Sequence, residues 1–280
     1  DNIAGREYVI PAKPIPPLLT VWEKLLTNLQ QHPQQYLKIV IVGGGAGGVE
    51  LALNMQTRLH NLLKQADQPL DHLSIDLIQR SPRLLPDHSA WVGEQLERVL
   101  HKREIHIHYL DSIKAITKTA NNGYQLSCQS GLQLSAKVVF WVTQAIAAPW
   151  LAQSGLQTDA RGLVLVAPTL ESISHPRIFA AGDVATVRNY PRPKAGVFAV
   201  RQGQPLFENL RRSLQGKPLK AYLPQKYYLS LIGTGDQNAI ATWGNLAGQH
   251  PLFWQWKDHI DRTFMAQFQR SEEHTSELQS

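Results

Sequence analysis

The 280-residue chain has one cysteine, Cys128. A lone thiol excludes an internal disulfide and any Cys-x-x-Cys metal or redox pair within these residues, and it points to a reducing compartment, the cytoplasm. Charged residues make up only 18% of the chain, against 43% hydrophobic, which excludes a disordered chain and allows a sizeable core. No apolar run reaches the ~18 residues of a membrane span. The longest, "VVFWVTQAIAAPWLA", is broken by Thr143, Gln144 and Pro149, and no signal-peptide pattern follows Asp1. The net charge is +6, but Lys and Arg are scattered. Clusters such as "LRRSLQGKPLK" read as solvated helix ends, so no nucleic-acid partner is expected.

Strand and helix signals alternate through the first half. "EYVIPAKPIPPLLTVWEKLLTNLQQ" reads as a short strand, a proline turn and a helix, with Leu18, Trp22, Leu25, Leu26 and Leu29 on one stripe and Pro16 and Pro17 in its first turn. "LKIVIV" (37–42) is a buried-type strand, followed by a glycine turn and a helix from Val49 to about Gln65. "LSIDLIQ" (73–79) is the next strand, which completes a βαβ unit. An amphipathic helix over 89–103 leads into an antiparallel meander, with turns at Asn122-Gly123 and Ser130-Gly131, and a last core strand "KVVFWV". Loops dominate after Pro149 until "RIFAAGDVA" (177–185), read as a strand delivering Ala181-Gly182-Asp183 to a ligand. A helix from Gly196, a pair of strands ("KYYLSLIGTG", "AIATWG") and a closing helix from Pro251 complete the pass. The last stretch, "RSEEHTSELQS" (270–280), equals a translated reading frame of a common sequencing adapter, and it is left out of fold reasoning.

Gly43-x-Gly45-x-x-Gly48 directly follows a strand and opens a helix, the context in which this spacing binds a dinucleotide. Gly43 allows the tight turn, Gly45 admits the pyrophosphate to the backbone, and Gly48 lets helix and sheet pack closely. The pyrophosphate would lie at the helix N-terminus, among free N–H groups at the positive end of the dipole. A ribose-binding carboxylate is expected at the end of the second strand. That position, 31 residues after Gly48, is Gln79, with Arg80 next and Arg83 close by. An amide beside arginines does not repel a 2′-phosphate, so NADPH is at least tolerated.

The glycine loop, "RIFAAGDVA" and "PRPKAGVFAVRQGQPLFENL" together resemble the two-dinucleotide flavoproteins, the FAD- and NAD(P)-dependent pyridine-nucleotide oxidoreductases. Within them the chain looks most like type II NADH:quinone dehydrogenases. It looks closer still to the oxidoreductase half of fusions with selenide, water dikinase, through "YVIPAKPI", "RSPRLLPDHSAWVGEQLERVL", "HPRIFAAGDVA", "RPKAGVFAVRQG" and "LSLIGTGD". The resemblance implies an α/β, Rossmann-type fold and NAD(P)H and FAD as cofactors. It implies that Asp183 beside Gly182 meets the flavin's ribityl and pyrophosphate region, and that Ala199 to Gly203, Gln202 included, approach the isoalloxazine ring. Glu50 would accept a hydrogen bond from the nicotinamide carboxamide. Thr143 stands where members carry a Thr-Gly pair against the flavin, but Gln144 replaces the glycine. The family's first glycine fingerprint is absent from these residues and would precede Asp1, so a fragment is expected.

The implied organisation is 1–36 as the end of an FAD domain and a linker helix, 37–141 as the NAD(P) domain, 142–220 as the returning FAD segment and 221–269 as a C-terminal interface segment. The implied activity is hydride transfer from NAD(P)H to FAD and on to a quinone or similar small acceptor, with a selenide, water dikinase domain downstream. The competing reading is a non-catalytic nucleotide-binding module that regulates or docks such a kinase. Cys128 reads as inert packing. His106 and His108, on one strand face without further ligands, read as exposed strand histidines rather than a metal site. The closing aromatic helix reads as packed on its own domain, with peripheral membrane docking as the alternative.

Overall fold

The computed structural model describes residues 3–143 and 147–277, and side chains as far as Phe268. Gln144, singled out above, lies outside the described residues. Two compact units divide the chain: Asp1–Thr143 together with Leu229–Ser280, and Gln144–Tyr228.

The first unit is built on a parallel sheet. Its elements in chain order are β1 (Ile10–Pro11), α1 (Ile15–Gln31), β2 (Leu37–Val42), α2 (Ala46–Gln65), β3 (Leu73–Gln79), α3 (Ala90–Lys102), β4 (His106–Tyr109), β5 (Ile113–Lys118), β6 (Tyr124–Cys128), β7 (Gln133–Ala136) and β8 (Val138–Trp141). Strand order is β1-β8-β2-β3-β4, all parallel. β2 explains the layering. Its alternate side chains point to opposite faces, and five of its six are buried. Ile39 and Ile41 join the core under the helices, with Val49, Leu53 and Leu59 of α2 and Leu96 of α3. Val40 and Val42 face the three-stranded meander β5-β6-β7, with Ile113, Ile116, Leu126 and Cys128. A strand buried on both faces reads as a continuous apolar run, as "IVIV" does.

β2 and β3 have the ends the sequence indicated, whereas α2 begins three residues before Val49. The "IHIHY" stretch is not part of the meander; it is the parallel edge strand β4, paired with β3. The expectation for its histidines is half corrected. His106 is exposed, but His108 is half-buried, with Nε2 2.7 Å from Asp76 Oδ1. Buried Asp76 needs that partner, because an unbonded buried carboxylate is costly. Residues 3–36 belong to this same unit: β1 pairs with β8, and Trp22, Leu25 and Leu26 of α1 lie against the helix-side core.

Cys128 is buried as expected. Burial, followed by the charge and hydrogen bond of Asp111, pushes its thiol up to about 11, so it has no nucleophilic character at neutral pH.

The second unit contains α4 (Trp150–Gln153), the parallel pair β9 (Val164–Val166) and β10 (Ala185–Val187), and α5 (Gly196–Leu214). Leu151, Val164, Val166, Leu170, Ala185 and Val187 form its core. No strand leads into Gly182. Phe179 makes one isolated bridge to Glu171, Gly182–Val184 is a 3-10 turn, and the strand follows it as β10. The apolar run "IFAA" is thus an extended approach without a ladder.

The C-terminal segment returns to the first unit as β11 (Leu229–Gly233), β12 (Ala239–Trp243), β13 (Leu246–His250) and α6 (Pro251–Glu277). The three strands are antiparallel neighbours; β13, with polar Gln249 and His250 and two small residues, gave no apolar signal. In α6, Phe253 and Trp254 are half-buried, while Leu252, Trp256, Ile260, Phe264 and Phe268 are exposed. The helix continues through the first residues of the adapter-like tail. No described helix is long and apolar enough to cross a membrane.

Candidate functional site: a glycine loop at the sheet's switch point

Strand order reverses between β2 and β8: β3 follows β2 on one side, and the later β8 lies on the other. Ligands of open parallel sheets bind outside the strand ends at such a point. The loop that leaves β2 there is the glycine loop, and each glycine has a distinct reason to be one.

Gly43 has φ +122°, and a Cβ there would lie 2.7 Å from the Val142 carbonyl oxygen. Gly48 is on the first turn of α2, where a Cβ would fall 1.8 Å from the Gly43 carbonyl oxygen. Both are required by the protein's own packing. Gly45 is different. Its φ of −77° suits any residue, and a Cβ would meet nothing within 4 Å. Packing leaves open space in front of Gly45, as a backbone approached by a ligand needs. No side chain caps α2, whose N-cap is Gly45, so its first N–H groups remain available to an anion.

The loop is braced from β3. The Gly44 N–H donates to Gln79 Oε1 at 3.2 Å, and Gln79 Nε2 donates to the Arg83 carbonyl at 3.0 Å. Gln79 is buried, with both ends of its amide spent on backbone. Arg80, just past the strand, is exposed, and Thr143 stands exposed after β8, beside Gly43.

Glu50, on the second turn of α2, was expected at a nicotinamide. The structure places it against the C-terminal segment: Oε1 accepts the Gly233 N–H at 2.7 Å and lies 3.5 Å from Lys257 Nζ. Burial pushes the Glu50 carboxyl up, and the Lys257 charge and the Gly233 N–H hold it back. Lys257 would be lowered by burial, but the charges of Glu50 and Asp261 carry it above its usual value. Gly235, with φ +76°, sits on the Leu53 carbonyl, and Asp236 pairs with Arg103 at 3.2 Å. The segment "LIGTGD" therefore clamps α2. Lys257 and Asp236 escaped the sequence reading because nothing in one dimension brings them to Glu50 and Arg103; the closely spaced Gly233 and Gly235 were the available hint.

The second unit holds a cradle of its own. Gly182, at φ +72°, donates its N–H to Gln202 Oε1 at 2.5 Å, and a Cβ on it would come within 3.3 Å of Ala199. The Gly182-Asp183 turn, Ala199 and buried Gln202 line one concave patch with Lys194 and Phe198. Lys194 Nζ donates to the Ala185 carbonyl, and burial lowers its pKa. Asp159 accepts from the Arg161 and Leu163 N–H groups and from Thr186 Oγ1. Burial alone would raise its carboxyl, but those hydrogen bonds bring it below its usual value. Among the described residues no group of three or more metal-ligating side chains is gathered.

The family model described as pyridine nucleotide-disulphide oxidoreductase matches residues 20–203. The chain belongs to that family. The matched stretch runs from α1 through both glycine-bearing sites to Gly203. In this family member, a cysteine pair within these residues is excluded by the single Cys128. Among curated proteins it is 27% identical, over 78% of its length and 55% of the relative's, to an NADH dehydrogenase-like protein of Mycobacterium tuberculosis. It is 26% identical to a type II NADH:quinone oxidoreductase of Haemophilus influenzae, over 79% of its length and 50% of the relative's. It is also 26% identical to a demethylphylloquinone reductase of Synechocystis, over 77% and 51%. The chain spans about half the length of the curated relatives it matches. Its α/β, Rossmann-type fold matches a water-forming NADH oxidase of Lactobacillus brevis bound to NADH, with a TM-score of 0.64 at 18% identity, covering 87% of this chain and 49% of that one. It likewise matches an engineered NADPH oxidase derived from that enzyme, with a TM-score of 0.60 at 17% identity, covering 86% and 49%.

Two predictions follow from the loop and its clamp. Gly48→Ala should destabilise the protein by about 3 kcal/mol or more through overpacking. Gly45→Ala should cost about 1 kcal/mol or less while weakening nucleotide binding at least about tenfold. Thermal melts and calorimetric titrations check both, and equal effects of the two variants would contradict the assignment. Lys257→Met removes the cation that holds Glu50 back, so the Glu50 carboxyl should titrate higher still. With the folded value further above the unfolded one, the stability Glu50 contributes is present at acid pH and lost as pH rises through the folded value. Carboxyl-carbon NMR over a pH series measures this; an unmoved or lowered Glu50 titration would contradict the pairing.

Proposed function

We propose that this chain carries the pyridine-nucleotide site and part of the flavin site of an FAD-dependent NAD(P)H oxidoreductase, passing two electrons from NAD(P)H through FAD to a quinone or similar small acceptor. The observation that carries the reading is the open ground before Gly45, at the switch point of a sheet in a chain of this family. The relatives named as quinone reductases supply the acceptor class.

The residues fit both cofactors. Gly45 and the uncapped N-terminus of α2 would hold the nicotinamide nucleotide's pyrophosphate. Glu50 has one oxygen engaged by Gly233 and Lys257; the other would accept from the carboxamide. In the second unit, the tight Gly182-Asp183 turn, with Ala199 and Gln202 behind it, would hold part of the flavin, Asp183 meeting its polar chain. When bound, the cofactors supply the hydride chemistry, and the protein places them and sets their surroundings. The link to selenide, water dikinase rests on the resembling stretches alone. The exposed apolar side of α6 gives the protein a face to lay against a membrane that holds a quinone.

The test is spectroscopic. The protein supplied with FAD should show a flavin band that NADH or NADPH bleaches without oxygen and a soluble quinone restores, and it should float with anionic liposomes. A protein that binds nucleotide but neither takes up flavin nor reduces it would overturn the oxidoreductase reading in favour of a nucleotide-binding regulatory module. Failure to float would remove the membrane contact alone.

A further inference from the structure

The residues just past β3 would meet the adenosine end of a bound nucleotide. We propose that the site selects the 2′-phosphorylated nucleotide, NADPH over NADH, and that Arg80 is the specificity-determining cation; this rests on the dinucleotide reading of the glycine loop.

Three observations converge. First, the strand-end position that carries a ribose-binding carboxylate in NAD-selective sites is Gln79, a buried neutral amide that accepts from the Gly44 N–H and donates to the Arg83 carbonyl. Gln79 is a neutral brace under the loop. It offers no charge to repel a phosphate, and no carboxylate to take both ribose hydroxyls.

Second, Arg80 is exposed at the strand exit and makes no hydrogen bond or ion pair among the described residues. A guanidinium presents a planar fork of donors that matches a phosphate in two-point contact. Arg80 needs to break no existing bond to make that contact.

Third, the surroundings are biased to the same sign. Arg83 is half-buried and held by one bond, from Nη2 to the Pro86 carbonyl at 2.6 Å, so its charge stays near the strand end with donors to spare. Between Arg80 and Ser89 the only acidic residue is Asp87. Asp76, earlier on β3, is engaged by His108. A 2′-phosphate carries charge that only a basic neighbourhood stabilises, whereas NADH gains nothing from it.

The experiment is equilibrium titration of the 280-residue protein with NADPH, NADH and the fragments 2′,5′-ADP and 5′-AMP. NADPH should bind at least about tenfold tighter than NADH, and 2′,5′-ADP should outbind 5′-AMP similarly. Arg80→Glu should weaken NADPH by about thirtyfold or more and leave NADH within about twofold. Because Arg80 is exposed and unpaired, the variant should melt at the parent's temperature, which verifies folding. Equal affinity for the two dinucleotides, with a ratio indifferent to Arg80→Glu, would overturn the selectivity and leave the dinucleotide site standing. Binding of neither would overturn both.

Discussion

The glycine loop depends on one contact with no slack: the Gly43 carbonyl lies where a side chain on Gly48 would begin. That closeness sets the first turn of α2 directly on the exit of β2. It aims the helix's free N–H groups and the positive end of its dipole at the switch point. Everything around the contact keeps it in register. Val142, just past β8, lies against Gly43, Gln79 ties Gly44 to β3, and the Leu85 N–H donates to the Gly44 carbonyl at 3.0 Å. Gly45 is left over from this packing. Its lack of a side chain serves no neighbour among the described residues, and the proposed nucleotide would account for it.

A helix fixed at its start must also be held along its length, and the C-terminal segment does this from far away in sequence. Gly233 and Lys257 hold Glu50, Gly235 lies on the Leu53 carbonyl, and Asp236 reaches Arg103, itself bonded to Thr57 at 3.0 Å. The Glu50–Lys257 pair is mostly out of water. Pairs of that kind add little net stability, but losing one partner is expensive. α2 and the C-terminal segment are thus coupled by charge as well as by close backbone packing.

Much of this was legible in sequence, for physical reasons. β2 and β3 are buried on both faces, so their apolar runs begin and end where the strands do. The glycine spacing, read between a strand and a helix, located the turn from β2 into α2. What stayed hidden depends on partners distant along the chain. Gln79 was marked by its position, but nothing showed that its amide was already used. His108 looked like a surface residue until Asp76 came beside it from β3. The approach to Gly182 has strand-like residues, yet no neighbouring strand for a ladder, so it forms an extended stretch and a 3-10 turn.

We propose that the glycine loop, with the strand-end segment beside it, holds a pyridine dinucleotide through backbone N–H groups. An amide NMR titration of the protein with NADPH tests it most directly. The largest shifts are expected at Gly45, Ala46, Gly47 and Arg80, with the meander residues Leu126 and Cys128 unmoved. Saturable binding that leaves the Gly45 to Gly47 amides in place would contradict it.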